Sequence, residues 1–433
     1  MLWTHDEHPG RRVRLAYCLN LHAAEDLDGI LDGIRRITLP LRERLAPRGA
    51  FGVGLYLPAA VARELASDAG AEGLCELTRV VDGGGLDPFT FNAFPYGGFH
   101  RAGLKERVYA PTWLEPGRLE FTRDVARVAA HLARAKGTLA PDAHVSISTH
   151  PGSFAAWLRG PDDLVGCARQ MALAARDLAR IEAHGGPRIV LSLEAEPRAS
   201  AGDTRELMGF LAFAREEAAR VLGAARDVRG VDRAAARHLG TCLDLCHAAV
   251  EYEEPEQALR QASAGGPIGK IQFSSALELR APRASTAARA LLLGMDEPVY
   301  LHQVTGRGAV TGRGTGGFQR CTDLSELARE LERGDSPWLD CESWRCHFHV
   351  PVDLEQVGQG LGTTRAHADR TLELCLADPA SWTTPELHLE IETYTWDVLP
   401  GAVRGAGDLV DGLEREYRHV MGRLREAGWR TGE

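Results

Sequence analysis

The sequence predicts one parallel (β/α)8 barrel, the TIM-barrel architecture, on three observations. Eight short apolar runs alternate with long amphipathic segments rich in Ala, Leu, Arg and Glu, the pattern of a strand–helix repeat closed on itself. No GxGxxG follows the first run, which argues against an open doubly wound sheet. The 433 residues are 44% hydrophobic, 25% charged and 6% aromatic, an ordinary globular composition. A barrel of this class can occupy a chain of that length as one domain.

The strands are expected at 14–22 (RLAYCLNLH), 51–58 (FGVGLYLP), 88–94 (PFTFNAF), 144–150 (HVSISTH), 188–197 (RIVLSLEAEP), 240–247 (GTCLDLCH), 268–277 (IGKIQFSSAL) and 387–396 (LHLEIETYTW). Helical periodicity marks 25–46, 119–136, 161–184, 203–226 and 366–377 between them. The seventh and eighth strands are separated by more than 100 residues. Within them, 298–352 reads as an insertion at the catalytic face, holding PVYLHQV (298–304) and CHFHVPV (346–352). The glycine-rich stretch 305–317 reads as an active-site lid or, more plainly, as a surface loop. It is not a P-loop, because no GK[ST] ends it. Residues 403–433 read as a C-terminal helix (407–427) and tail. With no internal repeat and no linker, 1–433 is expected to be a single barrel domain.

Charge and cysteine usage exclude several classes. Fifty basic residues face 60 acidic ones, a net −10. A nucleic-acid partner is not expected, since such affinity rests on neutralising phosphates. Only three lysines occur (Lys105, Lys136 and Lys270), so arginine supplies 47 of the 50 basic residues. Nine cysteines include no CxxC pair, which suits reduced thiols rather than a zinc ribbon or disulfide framework. The N-terminus lacks a basic-then-apolar leader, and no apolar run reaches the ~18 residues of a membrane span. A soluble cytoplasmic protein is expected. No heptads occur, so a homodimer would use a barrel face.

Side chains of a barrel strand alternate between lumen and helix layer. Here the polar residues fall on one set. The first strand gives Cys18, Asn20 and His22. The fourth gives His144, Ser146, Ser148 and His150, the fifth Ser192, Glu194 and Glu196, and the sixth Cys242, Asp244 and Cys246. The seventh gives Lys270, Gln272 and Ser274, and the eighth His388, Glu390 and Glu392. Buried charges are expensive unless paired or metal-bound. Acids and histidines near strand C-termini therefore point to a divalent metal.

The predicted ligands are Glu194, Asp244, His247, Gln272, His347, His349 and Glu392. Asp244 and His247 form D-x-x-H where a strand end can turn both side chains to one point. His347 and His349 form H-x-H and share a side if extended. Gln272 would be a weak neutral ligand or a hydrogen-bond donor to substrate. Glu390 and Glu392 compete for one role, and Glu392 is preferred as the nearer to the C-terminal end. Asn20, His22, Asn92, His150, Glu196, Lys270 and His302 are candidate substrate contacts, His302 with a purely structural alternative. Lys270 could form a Schiff base if its pKa were depressed. The plainer alternative is a lysine neutralised by Glu194 or Asp244.

The runs LEAEP (193–197), GTCLDLCHAA (240–249), THPGS (149–153) and LEIET (389–393) resemble the xylose isomerase-like TIM-barrel superfamily, which includes sugar isomerases, ketose epimerases and endonuclease IV. More specifically, FNAFPYGGFH (91–100), VYAPTW (108–113), SIST (146–149), HFHVPV (347–352) and ETYTWDVLP (392–400) resemble the metabolite traffic protein EboE family, over about 14 to 402. The superfamily resemblance implies a divalent metal at the C-terminal face. It implies Glu194, Asp244, His247 and Glu392 as ligands, with Glu194 and Glu392 as the acid/base pair. Endonuclease IV-like members would place His247, His347 and His349 at an additional metal, and His150 at a strand-four ligand position. Gln272 stands where the superfamily often has His or Asp, the D-x-H pair is H-x-H here, and Glu196 stands where xylose isomerases carry the lysine of E-P-K-P.

The leading expectation is a metal-dependent isomerase or epimerase of a sugar, cyclitol or related polyol. A metal-stabilised enediolate and two-carboxylate proton transfer would carry the reaction. Zn, Mn, Fe or Co would serve, as one to three ions. The rivals are a multi-metal phosphoesterase acting on a small molecule and a non-catalytic metabolite-binding protein.

Overall fold

The computed structural model describes residues 1–135, 143–223, 231–308, 317–401 and 408–431. Among them sixteen strands form. In chain order they are β1 (Leu2–Thr4), β2 (Arg12–Cys18), β3 (Phe51–Tyr56), β4 (Leu86–Asn92), β5 (His144–Thr149), β6 (Arg188–Glu194), β7 (Leu239–Asp244) and β8 (Ile268–Phe273). Then come β9 (Ser275–Arg280), β10 (Val304–Gly308), β11 (Phe318–Cys321), β12 (Cys341–Val350), β13 (Gln356–Gly358), β14 (Leu361–Thr363), β15 (Glu386–Ile391) and β16 (Arg430–Thr431). Strands β2 to β8 and β15 pair in parallel, and β15 pairs with β2 to close the barrel. The eight-stranded barrel read from the sequence is the observed fold. β1 and β16 extend it by an antiparallel edge on β2.

Each barrel strand ends earlier than its apolar run suggests. β2 stops at Cys18, where a 3-10 turn (Leu19–Leu21) begins. β7 stops at Asp244, whose carboxylate accepts from the His247 N–H and starts the helix Leu245–Val250. An acid at a strand end can thus cap the helix after it, so polar residues that look strand-like already belong to the next element.

The seventh run is two strands. Its first half, β8, belongs to the barrel, and its second half, β9, leaves at Ser274 for a separate six-stranded sheet of order β11-β10-β12-β9-β14-β13. That sheet therefore begins well before 298. It has its own core, including Leu277, Leu279, Trp338, Trp344, Phe348 and Val350, all buried. Of the glycine-rich stretch, Thr305–Gly308 lie in β10 and Gly317 is also described, but 309–316, on which the lid reading rests, lie outside the described residues.

The barrel lumen is polar, where such barrels are more often filled by branched aliphatics. His144 stacks on His388 with ring centroids 4.0 Å apart. Ser146 bonds both Thr90 and His388 Nδ1. Above them Lys270 meets Glu390 at 2.5 Å. Gly54 makes that pair possible, since a Cβ there would stand 1.8 Å from Glu390 Oε1.

The helix Leu409–Glu426 packs against the barrel through Leu413, Tyr417, Val420 and Leu424. Its Glu416 is wholly buried and accepts from Val352 N, Thr393 Oγ1 and Trp396 Nε1. Burial, followed by the nearby Asp353 charge, pushes the Glu416 carboxyl up to about 8. The folded chain thus keeps a proton that the unfolded chain releases near its ordinary value of 4.5. This contribution to stability is full below that value and is lost as pH rises through about 8. Between about pH 5 and 8.5 the unfolding free energy of the wild type should fall more than that of Glu416→Gln, by on the order of 2–4 kcal/mol. Urea titrations at the two pH values measure this, and equal slopes would show that Glu416 is not protonated in the folded chain.

Candidate metal centre and active site

The mouth of the barrel is a cleft whose floor carries Glu194, Glu196, His247, His347, His349 and Glu392, with Asn20 and Asn92 beside them. Glu194 ends β6 and Asp244 ends β7, while Glu392 follows β15. Single oxygens of Glu194, Asp244 and Glu392 lie within 4.8 Å of one another. All three residues are buried. Burial first, then the neighbouring carboxylates, raise the Glu194 and Glu392 carboxyls well above the ordinary range.

Asparagine amides orient one of these acids. Asn20 and Asn92 both donate to Glu392 Oε1, at 2.8 and 2.9 Å. Asn92 is held in turn by the Phe94 N–H on its own Oδ1. Among the described residues, Glu194 Oε2 and Asp244 Oδ2 are buried with no hydrogen-bond partner, which invites a cation at that point.

The imidazoles are aimed by their outer nitrogens. His247 Nδ1 lies 2.9 Å from Ala195 O, and His349 Nδ1 lies 3.0 Å from Glu392 O. A carbonyl oxygen only accepts, so each Nδ1 carries the proton and each Nε2 presents a lone pair. His347 Nδ1 lies 2.5 Å from Gln303 Oε1. The three Nε2 atoms converge at separations of 2.9, 3.1 and 3.3 Å. Burial, then the neighbouring imidazole His247, holds His347 well below the usual imidazole range, and burial pushes His349 down to about 4.

Three imidazole nitrogens this close fit one cation. Ligand atoms about 2.0–2.1 Å from a metal stand about 3 Å apart. Glu196 joins His247 and His347 in one such grouping, and Asp244 joins His247 and His349 in another. This mixed N/O donor set suits Mn, Fe, Co or Zn. Cys246 also lies within reach of His347 and His349, but its Sγ faces Phe348 O and burial keeps it a neutral thiol.

Six of the residues read from the sequence do not line the cleft; Asp244 lies against its floor, grouped with Glu194 and Glu392, and the other five point elsewhere. His22 is turned by the Leu19–Leu21 helix toward Tyr17, whose hydroxyl lies 3.1 Å from its Nε2. His150, one residue past β5, packs against Phe94 and Tyr109. His302 stacks on Phe348 and bonds Glu297 and His347 O. Gln272 lies deeper in the barrel, where its Oε1 accepts from Cys242 Sγ at 2.9 Å. Lys270 is deeper still, and its partner is Glu390 rather than Glu194 or Asp244. That pairing raises the Lys270 pKa against burial, opposite to the shift a Schiff-base lysine needs. It also separates Glu390 from Glu392, leaving Glu392 at the cleft.

Residues outside the sequence reading complete the site. Gln303 lies behind His347, and the Tyr394 ring stacks on His349 at 4.5 Å. Phe94, Phe99, Tyr300 and Leu301 form the upper wall. Gln303 and Tyr394 belong to runs the sequence already marks, PVYLHQV and ETYTWDVLP. The adjacent polar pair His302 and Gln303 in an otherwise apolar run was the available signal for Gln303.

No protein-family model matches the chain, and no curated protein matches it. Among solved structures it is similar to an L-ribulose 3-epimerase, at 12% identity over 96% of this chain and 95% of that one, with a TM-score of 0.44. A D-allulose 3-epimerase from Methylomonas sp. matches at 11% identity, 98% and 100% coverage and a TM-score of 0.42. A D-psicose 3-epimerase from Clostridium cellulolyticum H10, solved with D-tagatose, matches at 12% identity, 96% and 99% coverage and a TM-score of 0.42.

Lys270→Met should strand the Glu390 carboxylate in the lumen and lower stability by about 3–5 kcal/mol. Lys270→Met with Glu390→Gln should recover most of that loss. Denaturant midpoints of the single and double variants measure the coupling, and additive losses would mean that the pair does not neutralise itself.

Proposed function

We propose that the chain is a metal-dependent isomerase or epimerase of an unphosphorylated sugar, cyclitol or related polyol. The observation that carries the reading is the pair of buried carboxylates, Glu194 and Glu392, set on different strand ends beside a cation cradle. Glu194, Asp244, His247, His347, His349 and Glu392 would hold the ion, with Glu196 at its edge. A bound divalent ion would polarise a substrate carbonyl and favour the enediolate.

The chain's own residues perform the proton transfers. Glu392, fixed through Oε1 by two amide donors, turns its other oxygen to the substrate and removes the proton from the carbon beside the carbonyl. Glu194, held protonated by burial and by its acidic neighbours, returns a proton to the opposite face or the adjacent carbon. Asn20 and Asn92 keep the first carboxylate in place. The aromatic wall keeps water from the enediolate.

Charge at the cleft supports the choice of substrate. Among the described residues lining it, Lys105 is the one lysine or arginine, and it is engaged by Asp296 at 3.3 Å and Asp323 at 2.8 Å. An anionic phosphate therefore meets acids and no free basic side chain. Membership of the EboE family, a cytoplasmic setting and a homodimer belong to the same proposal. No described helix is long and apolar enough to cross a membrane.

One observation favours a second reading. The histidine-containing groupings and the carboxylate grouping, joined at Asp244, offer more than one cradle, which would suit a multi-metal phosphoesterase acting on a small molecule. Metal content of the protein purified without chelator separates the two. About one Mn, Fe, Co or Zn per chain supports the isomerase, and two or three ions, mainly Zn, support the hydrolase. Glu392→Gln should keep the fold and most of the ion while slowing solvent deuterium uptake into ketoses by at least about 100-fold. Unchanged uptake would overturn the role of Glu392.

A further inference from the structure

We infer that Gln303 is a positioning residue that sets the tautomer of His347 and so makes the imidazole cradle competent for a cation. The inference rests on the cation site proposed above and adds to it a residue that touches no ligand.

Gln303 is fully buried. Its amide nitrogen donates to Glu196 Oε1 at 3.1 Å and to Pro197 O at 3.0 Å. Both partners are acceptors, so the amide cannot flip without setting oxygen against oxygen. Its Oε1 must then face His347 Nδ1, which it meets at 2.5 Å. An amide oxygen accepts, so His347 carries its proton on Nδ1. Its Nε2 lone pair is left toward His247 and His349. The same residue also holds the His347 backbone, whose N–H donates to Gln303 O at 2.8 Å.

The other two imidazoles are aimed by backbone carbonyls, Ala195 O and Glu392 O, which no side-chain substitution removes. Of the three, His347 is the one whose Nδ1 hydrogen bond goes to a side chain. Without that acceptor, Nδ1 faces only the Glu196 carboxylate at 3.6 Å, too far for a hydrogen bond, while a proton on Nε2 would gain His247 or His349 Nε2 as its acceptor, at 3.1 or 2.9 Å. The cradle would then close on itself through a hydrogen bond. Gln303 prevents this, and it also presents Glu196 to the same point, where its Oε2 stands 3.4 Å from His247 Nε2.

The test uses the full chain with 15N-labelled histidine, with His347 assigned by its absence in His347→Gln. In the metal-free wild type, 15N shifts should report the Nδ1–H tautomer at His347. Gln303→Met, close in shape and with no acceptor, should move His347 toward Nε2–H and weaken Zn²⁺ or Mn²⁺ binding about 10–100-fold, the range for lost support of a metal ligand. Gln303→Glu keeps an oxygen facing Nδ1, and it should keep the tautomer although it stands against Glu196. A purely structural role would lower the thermal stability of both variants and leave the tautomer unchanged. If Gln303→Met keeps the Nδ1–H form, the inference falls. If the wild type binds neither ion, the cation reading falls, and the tautomer still decides the role of Gln303.

Discussion

The centre depends on three hydrogen bonds from imidazole Nδ1 atoms to oxygens that can only accept. An imidazole has two nitrogens, and fixing the proton on one decides what the other can do. Ala195 O lies just past β6 and Glu392 O just past β15, so closing the barrel sets two of the three tautomers. Burial makes the protonated forms of His347 and His349 costly. The convergence of the Nε2 atoms follows from the backbone path at the strand ends, before any ligand is considered.

The carboxylates below give that convergence its chemical meaning. The lumen is layered, with a histidine stack at His144 and His388, then the Lys270–Glu390 pair, then Glu194, Asp244 and Glu392. Among the described residues, Lys270 is the one lysine or arginine in these layers, and Glu390 already holds it. Three buried acids within reach of one another cannot all remain ionised. They must take up protons or a cation from outside the chain. Two of the three have an oxygen with no partner among the described residues, so the deficit of positive charge sits at the floor of the cleft.

The barrel was legible because eight short strand-like runs alternate with helical periodicity along the chain. Alternation along those runs placed Glu194, Asp244 and Glu392 correctly on the lumen side. It failed past the strand ends. His22 and His150 were projected inward on a period of two, but the chain had already turned there, and the direction was reset. Pairing register was not legible either. Gln272 stands opposite Glu390 in the β8–β15 ladder, which brings Lys270 to Glu390, and nothing in one strand announces the register of the next. The H-x-H spacing marked His347 and His349. That they lie on β12 of a second sheet depends on long-range antiparallel pairing, and β9 looked like a continuation of β8.

The second sheet makes the site a joint product of two structures. The barrel contributes the carboxylates and His247. The inserted sheet contributes His347 and His349 on β12, and Gln303 stands one residue before its β10. Their spacing would be loose if the sheet were tethered by a long loop. Instead β9 begins two residues after β8 ends, and Val350, at the end of β12, pairs with Ser275 at the start of β9. Ser274 is the joint. Its hydroxyl donates to Asp244 Oδ1 at 3.0 Å and accepts from Cys246 N at 3.0 Å. The residue at which the chain leaves the barrel thus also fixes a carboxylate of the floor and the first turn of the helix that carries His247. Acids and imidazoles are held in register through that one hydroxyl and the strand pair beside it, and a site assembled from two sheets can keep ligand atoms about 3 Å apart for this reason.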